Sequence, residues 1–123
     1  MEMWIKKIAV AGCILIALDL GFINLNKKMY EYTVINVQRV VMVPKYAGIF
    51  VAYFFILVIL YWFILRQRRP IWEAALLGMA VNGIYESTNY TMFKKWPLDL
   101  AIIDTLWGGV LYGLTTAAVY HFL

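Results

Sequence analysis

At 123 residues the chain has the length of one domain, and it is 64% hydrophobic, 17% aromatic and only 15% charged, too little polar surface to wrap an apolar interior in water. Its net charge of +4 comes from eleven Lys and Arg residues set in short clusters between apolar runs, a pattern of phospholipid headgroup contacts and not of a nucleic-acid-binding face. The single cysteine, Cys13, excludes an intrachain disulfide.

Lipid is therefore the natural solvent, and an all-α fold is expected: one membrane domain over 1–123, built as a four-helix transmembrane bundle. Lys6 and Lys7 open the first apolar run, in which Val10-Ala11-Gly12-Cys13 resembles a lipoprotein cleavage box. Only five residues separate Lys7 from Cys13, fewer than a secretory apolar core needs, and the run continues past the cysteine to Leu18. A retained first helix over 8–25 is expected, interrupted by Asp19 and Asn24.

The long connection 26–45 carries Tyr30, Val34, Val37 and Val41 at helical spacing. It is either a helix along the membrane surface, over 27–43, or a loop tucked against the bundle. Pro44 precedes the second span, 46–65, which has no charge. Arg66-Gln67-Arg68-Arg69-Pro70 separates it from a third span, 71–92, with Glu73 near its start and Glu86 inside. Lys94-Lys95-Trp96-Pro97 leads into the fourth, 98–123, which holds Asp99, Asp104 and a terminal His121. Each run is close to the roughly twenty residues that cross a hydrocarbon core about 30 Å thick. Backbone in lipid must pair with itself, so the runs should be helices.

Trp4, Trp62, Trp72 and Trp96 fall at the expected interfaces, where an amphipathic ring is favoured; Trp107 alone lies within a span. The positive-inside rule does not orient the chain. Lys6, Lys7, Arg66, Arg68 and Arg69 stand on one side against Lys27, Lys28, Arg39, Lys45, Lys94 and Lys95 on the other. The clusters Lys27-Lys28, Arg66 with Arg68 and Arg69, and Lys94-Lys95 are expected to meet lipid headgroups or a partner.

Lipid tails are as apolar as leucine, so helices associate in them through close packing or polar contacts. Two small-residue stripes suit close packing: Gly109, Gly113 and Ala117 on the fourth helix, and Ala9, Cys13, Ala17 and Gly21 on the first. The second span offers only Gly48 and Ala52 and should be the most lipid-exposed.

Three carboxylates, Asp19, Glu86 and Asp104, lie inside the spans. Each is about six residues, or roughly 9 Å, from its helix end, and chain direction puts those ends on the same side of the membrane. Asn82, Glu86 and Asn89 share a helical stripe with Tyr85 beside it, and Asp104, Gly108, Tyr112 and Thr115 share another. A carboxylate at a helix centre costs on the order of 3 kcal/mol to insert, so the three are expected to face one another, with Trp107 near. No Lys or Arg lies at their depth. Such a cluster is a structural clasp, a site for a proton, a cation or a lipid headgroup, or a seat of lipid chemistry. No Cys/His cluster, phosphate-binding loop or nucleophile with a base is visible. No cofactor is expected, and the metal question stays open.

The residues Gly83-Ile84-Tyr85-Glu86-Ser87-Thr88-Asn89, then Trp96-Pro97-Leu98, Asp104 and Trp107-Gly108, resemble a family of small membrane proteins, domain of unknown function 2177. Its pattern reads Gly-x-Tyr-Asp-x-Thr-Asn, Gly-Trp-Pro-Leu and Val-Asp-x-x-Trp-Gly, and Leu18-Asp19 fits its first helix. Here Glu86 and Ser87 replace the family's Asp and Leu, and Lys95 replaces the Gly before Trp96. The longer carboxylate puts strict transfer of any metal geometry in doubt. The resemblance implies a four-helix membrane fold without an assigned reaction, in bacteria and some large DNA viruses. It admits a bacterial or host membrane or the internal membrane of a virion.

The reading that follows is a non-catalytic, multi-pass structural or interaction element. Its expected partners are the bilayer, other membrane or shell proteins, or further copies of itself, and no nucleic acid. In a virion it would link bilayer to shell. The alternatives are a cation- or proton-linked transporter or channel subunit, and a lipid-modifying accessory protein.

Overall fold

The computed structural model describes the backbone of residues 3–38 and 46–123, and side chains within 3–33 and 47–123. The described residues form helices and turns, with no strand: α1 (Met3–Leu25), α2 (Lys27–Gln38), α3 (Tyr46–Leu60), α4 (Ile71–Met92) and α5 (Leu98–Phe122). The first helix starts five residues earlier than the apolar run suggests, because Met3-Trp4-Ile5 and the aliphatic stems of Lys6 and Lys7 extend it at no cost. The connection after it is helical from Lys27 to Gln38; the rest of the expected surface helix, 39–43, lies outside the described residues, as do Pro44 and Lys45.

Among the described residues, three helices are long and apolar enough to cross a membrane: Met3–Leu25, Ala47–Leu65 and Leu98–Phe122. The fourth expected span, α4, has the length, at 22 residues, but Glu73, Asn82, Glu86, Ser87, Thr88 and Asn89 lower its hydropathy.

Packing centres on α5, which lies between α4 on one side and α1 on the other, with α3 against α1. Ten of its residues are buried, among them Gly108, Gly109, Tyr112, Gly113 and Val119. The closest approach is between α4 and α5 at Gly78 and Gly108, where a Cβ built on either would fall on the other's carbonyl oxygen. Such contact gives the dispersion energy that replaces a hydrophobic drive inside lipid. Gly113 also faces α4, but a Cβ there would meet Ala75 at an ordinary 3.6 Å. Ala117 is half-buried one turn further on.

The stripe expected on α1 is not a seam. Ala9, Cys13, Ala17 and Gly21 are all exposed, and nothing lies within 4 Å of a Cβ built on Gly21. The buried face of α1 is the adjacent one, Ala11, Gly12 and Leu15, where a Cβ on Gly12 would meet Leu57 of α3 at 3.3 Å. Small residues on neighbouring faces compete for the partner, and on α1 the face with Gly12 is the one that meets α3. The side of α3 bearing Phe50, Val51, Phe54, Phe55 and Val58 points outward.

One end of the bundle is basic. α3 continues into a wider π-helical turn, Tyr61–Leu65, after which Arg66 N–H donates to Tyr61 O at 2.8 Å and Arg69 N–H to Ile64 O at 2.9 Å, each reaching back five residues. Arg68, at φ 48°, takes the left-handed conformation that ends the helix. Its guanidinium lies 4.5 Å over the Tyr120 ring, and that of Arg66 lies 3.9 Å over Trp62. The Tyr120 hydroxyl donates to Arg69 O at 2.6 Å, Lys7 Nζ donates to Leu65 O at 3.3 Å, and Arg69 pairs with Glu73 at 2.6 Å. The ends of α1, α3 and α5 and the start of α4 are thereby tied together.

Candidate functional site

At the opposite end the carboxyl groups gather. Asp19, near the end of α1, accepts two hydrogen bonds: Trp107 Nε1–H of α5 donates to Oδ1 at 2.9 Å, and the Tyr53 hydroxyl of α3 donates to Oδ2 at 2.7 Å. One carboxylate thus joins three helices. Phe22, one turn beyond Asp19, stacks on the Trp107 ring with centroids 4.4 Å apart and planes 5° from parallel, which fixes the indole N–H toward Asp19.

Asp104, in the second turn of α5, accepts from the Tyr30 hydroxyl of α2 at 3.1 Å. Asn82 Nδ2–H of α4 donates to the Asp104 backbone carbonyl at 3.0 Å. Glu86 is 2% exposed and its Oε2 accepts from Trp96 Nε1–H, in the turn between α4 and α5, at 3.0 Å. The carboxyl groups of Glu86 and Asp104 lie next to each other. Burial, the adjacent Asp104 and, at longer range, Asp19 and Glu86 push the Tyr30 phenol above its ordinary value of 10.0. One phenol therefore senses all three acids.

Of the polar residues expected together, Asp19, Asn82, Glu86, Asp104 and Trp107 form a connected layer. Asn89 is buried one turn below Glu86, at 7% exposure, but no side-chain bond ties it to the acids among the described residues. Tyr85 is not in the layer. It is 59% exposed, because the residue before Glu86 sits about 100° round the helix. Lys27, Lys28, Lys94 and Lys95 do not reach the acids; all four are exposed, and Lys27 instead lies 3.9 Å from Glu31. Arg66, Arg68 and Arg69 are exposed at the far end. Among the described residues no three His, Cys, Asp or Glu side chains are placed to hold a metal ion.

Sequence reasoning missed the donors. Tyr30 read as part of a surface helix or a loop, Tyr53 as part of the most lipid-exposed span and Trp96 as an interface ring, yet each supplies the hydrogen to a carboxylate. The signal was their depth: Trp96 and Tyr30 stand where the ends of α4, α5 and α1 bring the acids.

A bundle of apolar helices closed at one end by buried and half-buried carboxylates, and at the other by arginines on aromatic faces, is the build of a multi-pass integral membrane protein. Residues 4–121 match the family model described as predicted membrane protein (DUF2177), and the chain belongs to that family. No curated protein and no solved structure matches it.

Proposed function

We propose that the protein is a non-catalytic, four-span structural or interaction element of a membrane, closed by the carboxyl layer as a clasp. The observation that carries this reading is the Asp19 carboxylate, both oxygens of which are occupied by neutral donors from two other helices. Charge-assisted bonds of that kind are stronger than neutral ones, and they tie each Asp19 oxygen to a different neighbouring helix. α4 counts as the fourth span in this reading because it packs along α5 from Ile71, opposite Gly113, to Asn82, opposite Asp104. The exposed Lys and Arg turns carry the outward contacts, to lipid phosphates or to the acidic face of a neighbouring membrane or shell protein.

A second reading is favoured by one contact alone. Glu86 and Asp104 set two carboxyl groups side by side, as a proton- or cation-linked transporter would require. Vesicles containing purified protein separate the two: the clasp predicts proton and sodium flux equal to that of empty vesicles. Flux above that level, abolished by Glu86→Gln with Asp104→Asn, would replace it with transport.

A further inference from the structure

An open groove of about 340 Å³ runs between α4 and α5 on the outer surface, and the buried Glu86 forms part of its floor. Ser87 and Thr91 line one wall, and Leu98, Ile102 and Leu106 line the other. Ile102 and Leu106 are each more than half exposed, so the apolar wall faces acyl chains. The polar end lies toward the turn that carries Lys94, Lys95 and Trp96.

Charge selects the occupant. Glu86 brings a carboxyl group to the groove, and Asp104 adds a second one behind it. The ion pairs among the described residues, Lys27–Glu31 and Arg69–Glu73, leave both acids uncompensated. The Trp96 indole donating to Glu86 Oε2 holds that carboxyl at the level of an interfacial ring, where lipid headgroups lie. Beyond it, exposed Lys94 and Lys95 offer two cations. A carboxylate in the groove, two cations on the turn beyond it and an apolar wall complement a zwitterionic lipid.

We infer that this groove binds a phospholipid with a primary ammonium headgroup, its ammonium at Glu86, its phosphate at Lys94 and Lys95, and an acyl chain along Ile102 and Leu106. A primary ammonium donates hydrogen bonds to a carboxylate, which a quaternary one cannot do. The inference uses the acid layer described above but does not depend on its serving as a clasp, since Asp19 takes no part in the groove.

Native mass spectrometry of the purified full chain, with phosphatidylethanolamine, phosphatidylcholine and phosphatidylglycerol of matched acyl chains, tests it. The ethanolamine lipid is retained about tenfold over the other two, the gain of roughly one charge-assisted bond. Glu86→Gln, which removes the charge, brings the three to parity. Ile102→Trp, which fills the groove and leaves every acid in place, does the same even if the first variant folds poorly. Equal retention by the wild type, a preference surviving in Ile102→Trp, or preferred binding of phosphatidylglycerol would each overturn the inference. Loss of assembly in Asp19 variants with lipid preference intact in the wild type would bear on the clasp alone.

Discussion

Two stripes of small residues, one on α1 and one on α5, have the same spacing and opposite fates. Gly109 and Gly113 of α5 lie against α4, beside the Gly78–Gly108 crossing where the two backbones touch. Ala9, Cys13, Ala17 and Gly21 of α1 look outward. Spacing alone permits a close approach but does not choose it. A seam needs small residues on both partners at the same height, and α4 supplies them, at Ala75 and Gly78. In lipid, where burial of leucine against leucine gains little over leucine against acyl chain, that reciprocity decides which face is used.

The comparison breaks first at Gly78. Gly78→Ala puts a methyl on the Gly108 carbonyl, which neither backbone can evade, and should cost about 3 kcal/mol, the upper range for overpacking. Unfolding of the purified protein in micelles by titrated denaturant measures it; a loss below a third of that would mean the crossing is looser than described. Asp19→Leu comes next. It strands the Trp107 and Tyr53 donors, at about 2 kcal/mol for the unmade bonds, with weakened association of α1 read out by crosslinking between α1 and α5. Retained crosslinking at wild-type stability would show that the carboxylate does not hold the helices.

Tyr30→Phe should cost about 1 kcal/mol at neutral pH through its single bond to Asp104. Because the folded state raises the phenol's pKa, that group's contribution is full below its ordinary 10.0 and falls as pH rises above it. The wild type should therefore lose stability in alkali more steeply than Tyr30→Phe, and parallel curves would count against the buried phenol. The last two variants sharpen the contrast between stripes. Gly21→Ala, on the unpartnered face, should stabilise by about 0.5–1 kcal/mol through helix propensity alone. Gly113→Ala, with its added methyl at ordinary contact distance, should change stability by less than about 0.5 kcal/mol. A large loss at Gly21 would instead show that this face has a partner in the membrane.

Much of the architecture was legible because lipid imposes strong rules. Apolar length marked the helices, and Arg66–Pro70 and Lys94–Pro97 marked the turns. Counting from helix ends placed Asp19, Glu86 and Asp104 at one level. What counting could not supply was rotation. Tyr85 and Glu86 are neighbours in sequence but face opposite environments, and the two faces of α1 differ by only one residue in register. Nor could it separate a tyrosine that anchors at an interface from one that donates to a carboxylate, since both need the same depth and the same amphipathic ring. The helical state of 27–38 was undecided for a related reason: its fixing contact, Tyr30 to Asp104, spans 74 residues.

The Asp19 node also bears on how the protein is made. Tyr53 follows Asp19 by 34 residues and Trp107 by 88, so when α1 enters the bilayer neither hydrogen that will quiet its acid has yet been inserted. The first bond becomes available with Tyr53 on α3, and the second waits for Trp107 on the last helix. Completion of the chain is thus coupled to its acceptance by the membrane, and a product truncated before Trp107 would present quality-control proteases with an exposed, poorly tolerated helix.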